Sequence, residues 1–345
     1  MNSNTAVWPG LPAEKRAGFH EGWYFKANLP AQGKALWIRF TLLTTRNGFK
    51  REAAVWAVHF ERNRETGEVQ KVAIRQTFDI SAFQTEETPE GPILRIGGCE
   101  LSPGGTRGKI TAKGKEISWD LKMAPRAETA PAGRFEPVPE SFAHRLLARG
   151  RIITVGEDLA FTGTVGVDGR ATAWESAPGM QGHITHQRNG HSWAWAHCNA
   201  FVNQAGQSEA AAFEGLTVRA RLGGLVPSPG LSSFYFLYRG QEYRFNSLWS
   251  ALQSRSKHTF NEWHFSAERG DLRFRGVLKA QYRDFAGITL EDTDGSLLYC
   301  ANSKLSDLEI TVYRAGKLEN TLRATGSASF EVADRKANPY VPLLI

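Results

Sequence analysis

The chain has 345 residues, 41% of them hydrophobic and 22% charged, with a formal net charge of +7. This composition belongs to a packed protein with room for one large or two ordinary domains, and it excludes a disordered chain. No run of about 18 apolar residues occurs, so no membrane-spanning helix is expected.

The start, Met1-Asn-Ser-Asn-Thr-Ala-Val-Trp8, lacks a basic region followed by an apolar core, so no secretory signal is expected. Cys99, Cys198 and Cys300 are widely spaced and odd in number. They read as free buried thiols in a reducing cytoplasm, with no zinc or redox spacing. Lysines and arginines are spread along the chain and are densest at Arg107, Lys109, Lys113 and Lys115, which alternate like a solvated strand face. A solvated surface is the first reading of this charge, and peripheral contact with an anionic membrane the second. Aromatics do not interleave with these bases in a nucleic-acid motif, so no nucleic-acid partner is expected, and no specific protein partner is implied.

In chain order, short alternating runs end in turn chemistry. Lys34–Leu43 precedes Arg46-Asn-Gly48, and Ala54–Glu61 precedes Arg62-Asn-Arg-Glu-Thr-Gly67. Val72–Phe78, Ile93–Ile96, Gly108–Thr111 and Glu116–Lys122 follow, then a long loop over Met123–Glu140 and a short helix over Pro139–Ala148. Strands resume at Ala160–Val167, closed by Asp168-Gly169, and Arg170–Glu175. The second half repeats the style in Ser233–Tyr238, Glu242–Asn246, Thr259–Ala267, Leu272–Tyr282, Ser296–Asn302, Leu308–Arg314 and Ala328–Val332, with a turn or two of helix at Leu248–Leu252. Many short strands at this spacing predict an all-β protein of two antiparallel domains. The boundary is placed at Ala177-Pro-Gly-Met-Gln-Gly182, giving residues 1–180 and 181–345.

The stretch His183–Phe201 holds four of the nine histidines and two of the ten tryptophans. Read as a strand, it puts His191, Trp193, Trp195, His197, Asn199 and Phe201 on one face and Ser192, Ala194, Ala196, Cys198 and Ala200 on the other. Imidazoles and indoles on a single face look like a pocket wall. Asn189-Gly190 predicts a type I′ hairpin that pairs Arg188 with His191, His186 with Trp193, Ile184 with Trp195 and Gly182 with His197. Gly182 would then leave space beside that imidazole. A longer loop would shift the register by one.

Two further motifs are Gly18-Phe-His-Glu-Gly-Trp-Tyr-Phe-Lys26 and Phe161-Thr-Gly-Thr-Val-Gly-Val-Asp-Gly-Arg170, the second leading through Trp174 to the His/Trp strand. Together they resemble the hydroxyneurosporene synthase / tocopherol cyclase-like group. The resemblance touches about half the chain through short motifs. It implies a β-sandwich followed by a lipocalin-like barrel, an apolar ligand between or within them, and hydration or cyclisation of polyprenyl or polyene substrates. For the aspartate that supplies a proton in hydratase members, Asp284 and Glu214 are the candidates here.

Acid-catalysed addition to an alkene needs a proton donor, a dry pocket and π-faces for a developing cation. His191, His197 and Glu21 are the candidate catalytic groups. Trp23, His186, Trp193, Trp195, Asn199 and Tyr299 are the candidate ligand contacts. Glu21 alternates with Trp23 and Phe25, so it is either an acid in an apolar setting or a buried ion-pair partner of an arginine such as Arg39. His191 and His197 lie six residues apart, about 20 Å along a strand, too far to share a metal. Asp292-Thr-Asp-Gly295 reads as a turn, lacking the later ligands of a calcium loop. No Gly-x-Ser-x-Gly elbow or phosphate loop is present, so neither a hydrolase nor a nucleotide cofactor is expected. The expected partner is an apolar isoprenoid- or polyketide-like molecule. The lead function is a lyase or isomerase of the hydratase or cyclase type. A non-catalytic carrier with the same pocket, or a purely structural domain, are the rivals.

Overall fold

The computed structural model describes residues 4–126, 133–138, 150–222 and 226–345. The helix expected at Pro139–Ala148 lies outside the described residues. Eleven strands form the first antiparallel sheet. They are β1 (Phe19–Leu29), β2 (Lys34–Thr44), β3 (Arg51–Arg62), β4 (Val69–Asp79), β5 (Phe83–Thr88), β6 (Gly91–Ile96), β7 (Cys99–Ser102), β8 (Gly105–Ala112), β9 (Lys115–Pro125), β10 (Gly150–Val167) and β11 (Arg170–His186). Their order is β4-β3-β2-β1-β11-β10-β9-β8-β7-β6-β5. Two hairpin meanders are thus joined where β1 pairs β11. The sheet rolls over so that β4 packs on β8 and β9. Inside the roll lie Trp23, Phe25, Phe40, Val55, Ile96, Trp119, Phe161 and Trp174, all buried.

The second sheet begins at β12 (Ser192–Cys198) and continues through β13 (Phe201–Val202), β14 (Ser208–Glu209) and β15 (Ala211–Arg219). After a two-stranded ribbon of β16 (Arg221–Leu222) and β17 (Val226–Pro227) come β18 (Leu231–Tyr238), β19 (Gln241–Phe245), β20 (Arg255–His258) and β21 (Glu262–Arg269). It ends with β22 (Leu272–Lys279), β23 (Ala286–Glu291), β24 (Leu297–Arg314) and β25 (Lys317–Asp334). The main path is β19-β18-β15-β12-β25-β24-β22-β21-β20. This sheet also curls: Ser256 of β20 hydrogen-bonds Thr217 of β15 at 2.7 Å, closing the roll. A short helix, Leu248–Gln253, packs against β18 and β21. Phe213, Phe234, Phe236, Trp263, Phe265 and Phe274 fill the interior. Each such ring contributes roughly 1.5–3 kcal/mol on burial.

The protein is therefore all-β, with two rolled antiparallel sheets, as the turn spacing predicted. The boundary expected after residue 180 falls inside β11, which stays in the first sheet to His186; the change of sheet lies between His186 and Ser192. The predicted Asn189-Gly190 hairpin does not form. Both edges of β11 are taken by β1 and β10, and both edges of β12 by β15 and β25. The Asn189 N–H instead donates to the Asp292 carboxylate at 3.0 Å, so the five residues between the strands cross from one sheet to the other. Non-local pairing has outcompeted a strong local turn signal.

The outer faces of the two rolls pack on each other. Trp37, Trp56 and Val58 of the first sheet meet Ile288, Cys300 and Ala333 of the second. Beside them, Met180 and Tyr24 meet Trp195 and Leu216. The cleft of interest opens in this layer.

Candidate functional site

The alternation read in the sequence operates in β12. Ala194, Ala196 and Cys198 sink into the second sheet's core, while Trp193 and Trp195 face the first sheet. Trp195 pairs with Leu216 and His197 with Glu214 on β15. Across the gap, β1 turns His20, Gly22 and Tyr24 towards the second sheet, and Glu21, Trp23 and Phe25 into its own core.

Between these surfaces lies a cleft of about 150 Å³. Its walls are the rings of Tyr24, Trp37, Trp193 and Trp195 with Ile152, Ile184, Leu216, Val218 and Leu290. Arg39, His186, Arg188 and Glu331 are its charged or titratable members. Tyr24 stands edge-on to Trp195, with ring centroids 6.3 Å apart. Gly182 is opposite Tyr24, not His197 as the hairpin required. A Cβ on Gly182 would lie 2.4 Å from the Tyr24 ring, so the missing side chain is the seat of this tyrosine.

The chemistry lies behind the cleft wall: Glu214 and Glu157 are not among the described lining residues, and their link to the cleft is Trp195, which is. Glu214 follows Leu216 and Val218 along one face of β15 and is fully buried. Its Oε1 accepts from Trp195 Nε1 at 2.6 Å and its Oε2 from Thr154 Oγ1 at 2.7 Å. Glu157, also fully buried, adjoins it. Glu157 comes from β10 where the pairing with β11 slips between Gly156 and Leu159, and this bulge aims its carboxyl inward. Fully ionised, neither Glu157 oxygen has a donor. A proton on Glu157 would let it donate to the adjoining Glu214 and supply the missing hydrogen bond. Burial first, and then the charge of Glu214, hold the Glu157 carboxyl well above the usual range. Burial also raises Glu214, against the donors that stabilise its anion. The pair thus keeps a proton at pH values where free carboxyls have lost theirs.

His197 closes this group. Its Nε2–H donates to the Glu157 carbonyl oxygen at 2.8 Å and lies 3.5 Å from Glu157 Oε2. Burial, followed by the nearby Lys26 ammonium, keeps the imidazole neutral by pushing its pKa well down. Lys304 is buried beside the cleft, paired with Glu331 at 2.6 Å, its Nζ 5.2 Å from the Trp195 ring centre and 5.9 Å from that of Trp37.

The other sequence candidates distribute as follows. His186 lines the cleft with Trp193 and Trp195. They meet face to face across two sheets and not edge to edge in a hairpin. His191 is half-buried, with its N–H on the Arg219 carbonyl, and is not among the described lining residues. Glu21 lies on the opposite face of β1. Its carboxylate accepts from the N–H groups of Val7 and Trp8, each at 2.8 Å, and pairs with His183 Nε2 at 2.9 Å. His183, not Arg39, is its side-chain hydrogen-bond partner. Trp23 is core, stacked on His183 at 4.9 Å with its Nε1 on the Asn4 carbonyl. Asn199 Nδ2 donates to Asp158 at 2.8 Å and to the Gly179 carbonyl at 3.0 Å, tying β12 to the first sheet. Tyr299 lines a separate cavity of about 270 Å³ beneath the C-terminal segment. Asp284 caps a 3-10 turn and pairs with Arg62 at 3.2 Å, whereas Glu214, the other candidate, bonds Trp195 of the cleft wall. Asp292-Thr-Asp-Gly295 is a turn, with the Gly295 N–H on the Asp292 carbonyl. Glu157 was missed, and so were the roles of Arg39 and Lys304.

No curated protein sequence matches the chain. Among solved structures, it is similar to CghA at 9% identity, with TM-score 0.56 over 92% of this chain and 88% of that one. It is also similar to an ATTH of Nitrosomonas europaea at 13% identity, with TM-score 0.51 over 92% of each chain. Kievitone hydratase from Nectria haematococca aligns at 9% identity and TM-score 0.48 over 95% and 92%. The first two likenesses show a shared fold. The tocopherol cyclase-like family model runs through both sheets and the cleft between them, from residue 17 to residue 333, and the chain belongs to that family.

Proposed function

We propose that the cleft binds an isoprenoid- or polyketide-like molecule and that the Glu157–Glu214 pair starts its cyclisation or hydration by protonating an alkene. The observation that carries this reading is the fully buried Glu157–Glu214 pair behind Trp195, whose indole bonds Glu214 and also lines the aromatic cleft. A proton held by the pair passes through Glu214 to one alkene carbon, the π bond supplying the electron pair. The cation formed at the other carbon is stabilised by the faces of Trp37, Trp193, Trp195 and Tyr24. An internal hydroxyl or double bond, or a water molecule, closes the bond, and the proton then lost returns to Glu214. The net change is an isomerisation or the addition of one water. Membership of the tocopherol cyclase-like family supports the same class of reaction.

The test is incubation in D2O with a panel of polyenes and prenylated phenols, followed by mass spectrometry. An isomer or water adduct carrying one deuterium, absent with Glu214→Gln, is expected. Binding without turnover by the wild type would make the protein a carrier and overturn the proposal.

A further inference from the structure

The cleft is apolar except at one end, where, among the described residues, the Nε of a guanidinium and both nitrogens of an imidazole have no hydrogen-bond partner. Arg39 lies on β2 between Tyr24 of β1 and Trp56 of β3. Its guanidinium is laid over Gly22, where a Cβ would come within 3.2 Å of Nε. That Nε is shut off from solvent and has no acceptor. Among the described residues no carboxylate lies within ion-pairing distance of Arg39. The nearby acids are committed elsewhere. Glu331 is held by Lys304 at 2.6 Å and by Asn302 at 3.2 Å. Glu52 pairs with Arg75 and with Lys50, and Glu291 with Lys50.

His186 lies beside it on the cleft wall, stacked on His20 at 4.4 Å. Both of its ring nitrogens are buried without a partner. A neutral imidazole carries one N–H, which here has no acceptor. A half-buried cation whose Nε is shut off without an acceptor and a buried imidazole left unpaired are costly, and a fold that keeps both at one end of a cleft is built for what arrives there.

Resting on the proposed function, we infer that the ligand carries an anionic oxygen, a carboxylate or an acidic enol, which Arg39 binds with His186 while the apolar body lies along Trp193 and Trp195. The planar guanidinium suits two parallel hydrogen bonds to such a group. The head at Arg39 and the aromatic wall would together fix which carbon reaches Glu214.

The probes are cis-parinaric acid, a polyene carboxylate whose fluorescence reports binding, and its methyl ester. The wild type is expected to bind the acid about tenfold more tightly than the ester, as a charge-assisted pair gives. Arg39→Met is expected to abolish that preference while ester affinity changes by less than about twofold, which also reports an intact cleft. Arg39→Lys should keep part of it, retaining charge without the fork. Equal binding of acid and ester by the wild type, or an undiminished preference in Arg39→Met, would overturn the inference and leave the apolar cleft standing. Failure of the wild type to bind either probe would overturn both readings.

Discussion

Trp195 donates its indole N–H to Glu214 at 2.6 Å, so one side chain both walls the cleft and touches the carboxyl pair behind it. This bond stabilises the ionised form of Glu214 and sets how firmly the pair holds its proton.

Replacing Glu214 with glutamine removes the transferable proton while keeping size and hydrogen-bonding capacity. Turnover is expected to fall by about 10²–10⁴-fold, the usual share of a general acid. The thermal midpoint should not drop, because a buried ionisable group is lost, the amide oxygen still accepts from Trp195 and the amide N–H donates to the Thr154 hydroxyl, which can also accept. Melting curves beside the turnover assay check both.

Activity that needs the shared proton is lost as pH rises through the raised titration of the pair. Trp195→Phe removes a donor to the Glu214 anion and raises its pKa further. The alkaline limb of the rate profile is therefore expected to move to higher pH. A uniform fall in rate with no displacement of that limb would show a packing role only.

His59 is buried in β3, and burial pushes its pKa from 6.5 to about 4. Between those values the unfolded chain binds the extra proton, so stability is full above pH 6.5 and is lost as pH falls towards 4. The loss for this one group is at most about 3 kcal/mol. His186 shifts the same way, to about 4, through burial. His59→Gln should narrow the difference between urea midpoints at neutral and mildly acid pH.

Gly182→Ala places a methyl where the Tyr24 ring now lies, and drives that ring towards Trp195. The cleft narrows, and cis-parinaric acid binding is expected to weaken by about tenfold or more, with a modest loss of stability. Fluorescence titration and the melting midpoint separate the two effects.

The class of fold and the character of the wall were legible because strand alternation is local: Trp193 and Trp195 against Ala194 and Ala196 need no partner to be read. The hairpin was not legible, since Asn189-Gly190 carries a turn signal in any context, and the Asp292 carboxylate that captures Asn189 comes from over a hundred residues away. Glu157 was hidden for a related reason. Gly156-Glu-Asp-Leu159 looks like the polar lead into a strand, so the strand was expected from Ala160, whereas β10 begins at Gly150 and carries Glu157 inward on a bulge. Glu214 was visible only through the family resemblance. Glu21 looked like an acid because its alternation with Trp23 is real, but that face belongs to the first sheet's own core.

The central claim is that Glu157 and Glu214 keep one proton between them at neutral pH. Infrared difference spectroscopy in D2O, comparing wild type with Glu157→Gln and Glu214→Gln, tests it without any substrate. A protonated-carboxyl C=O band at pH 7 that is lost or displaced in each variant is the expected result. A wild-type spectrum with only carboxylate bands at that pH would contradict it.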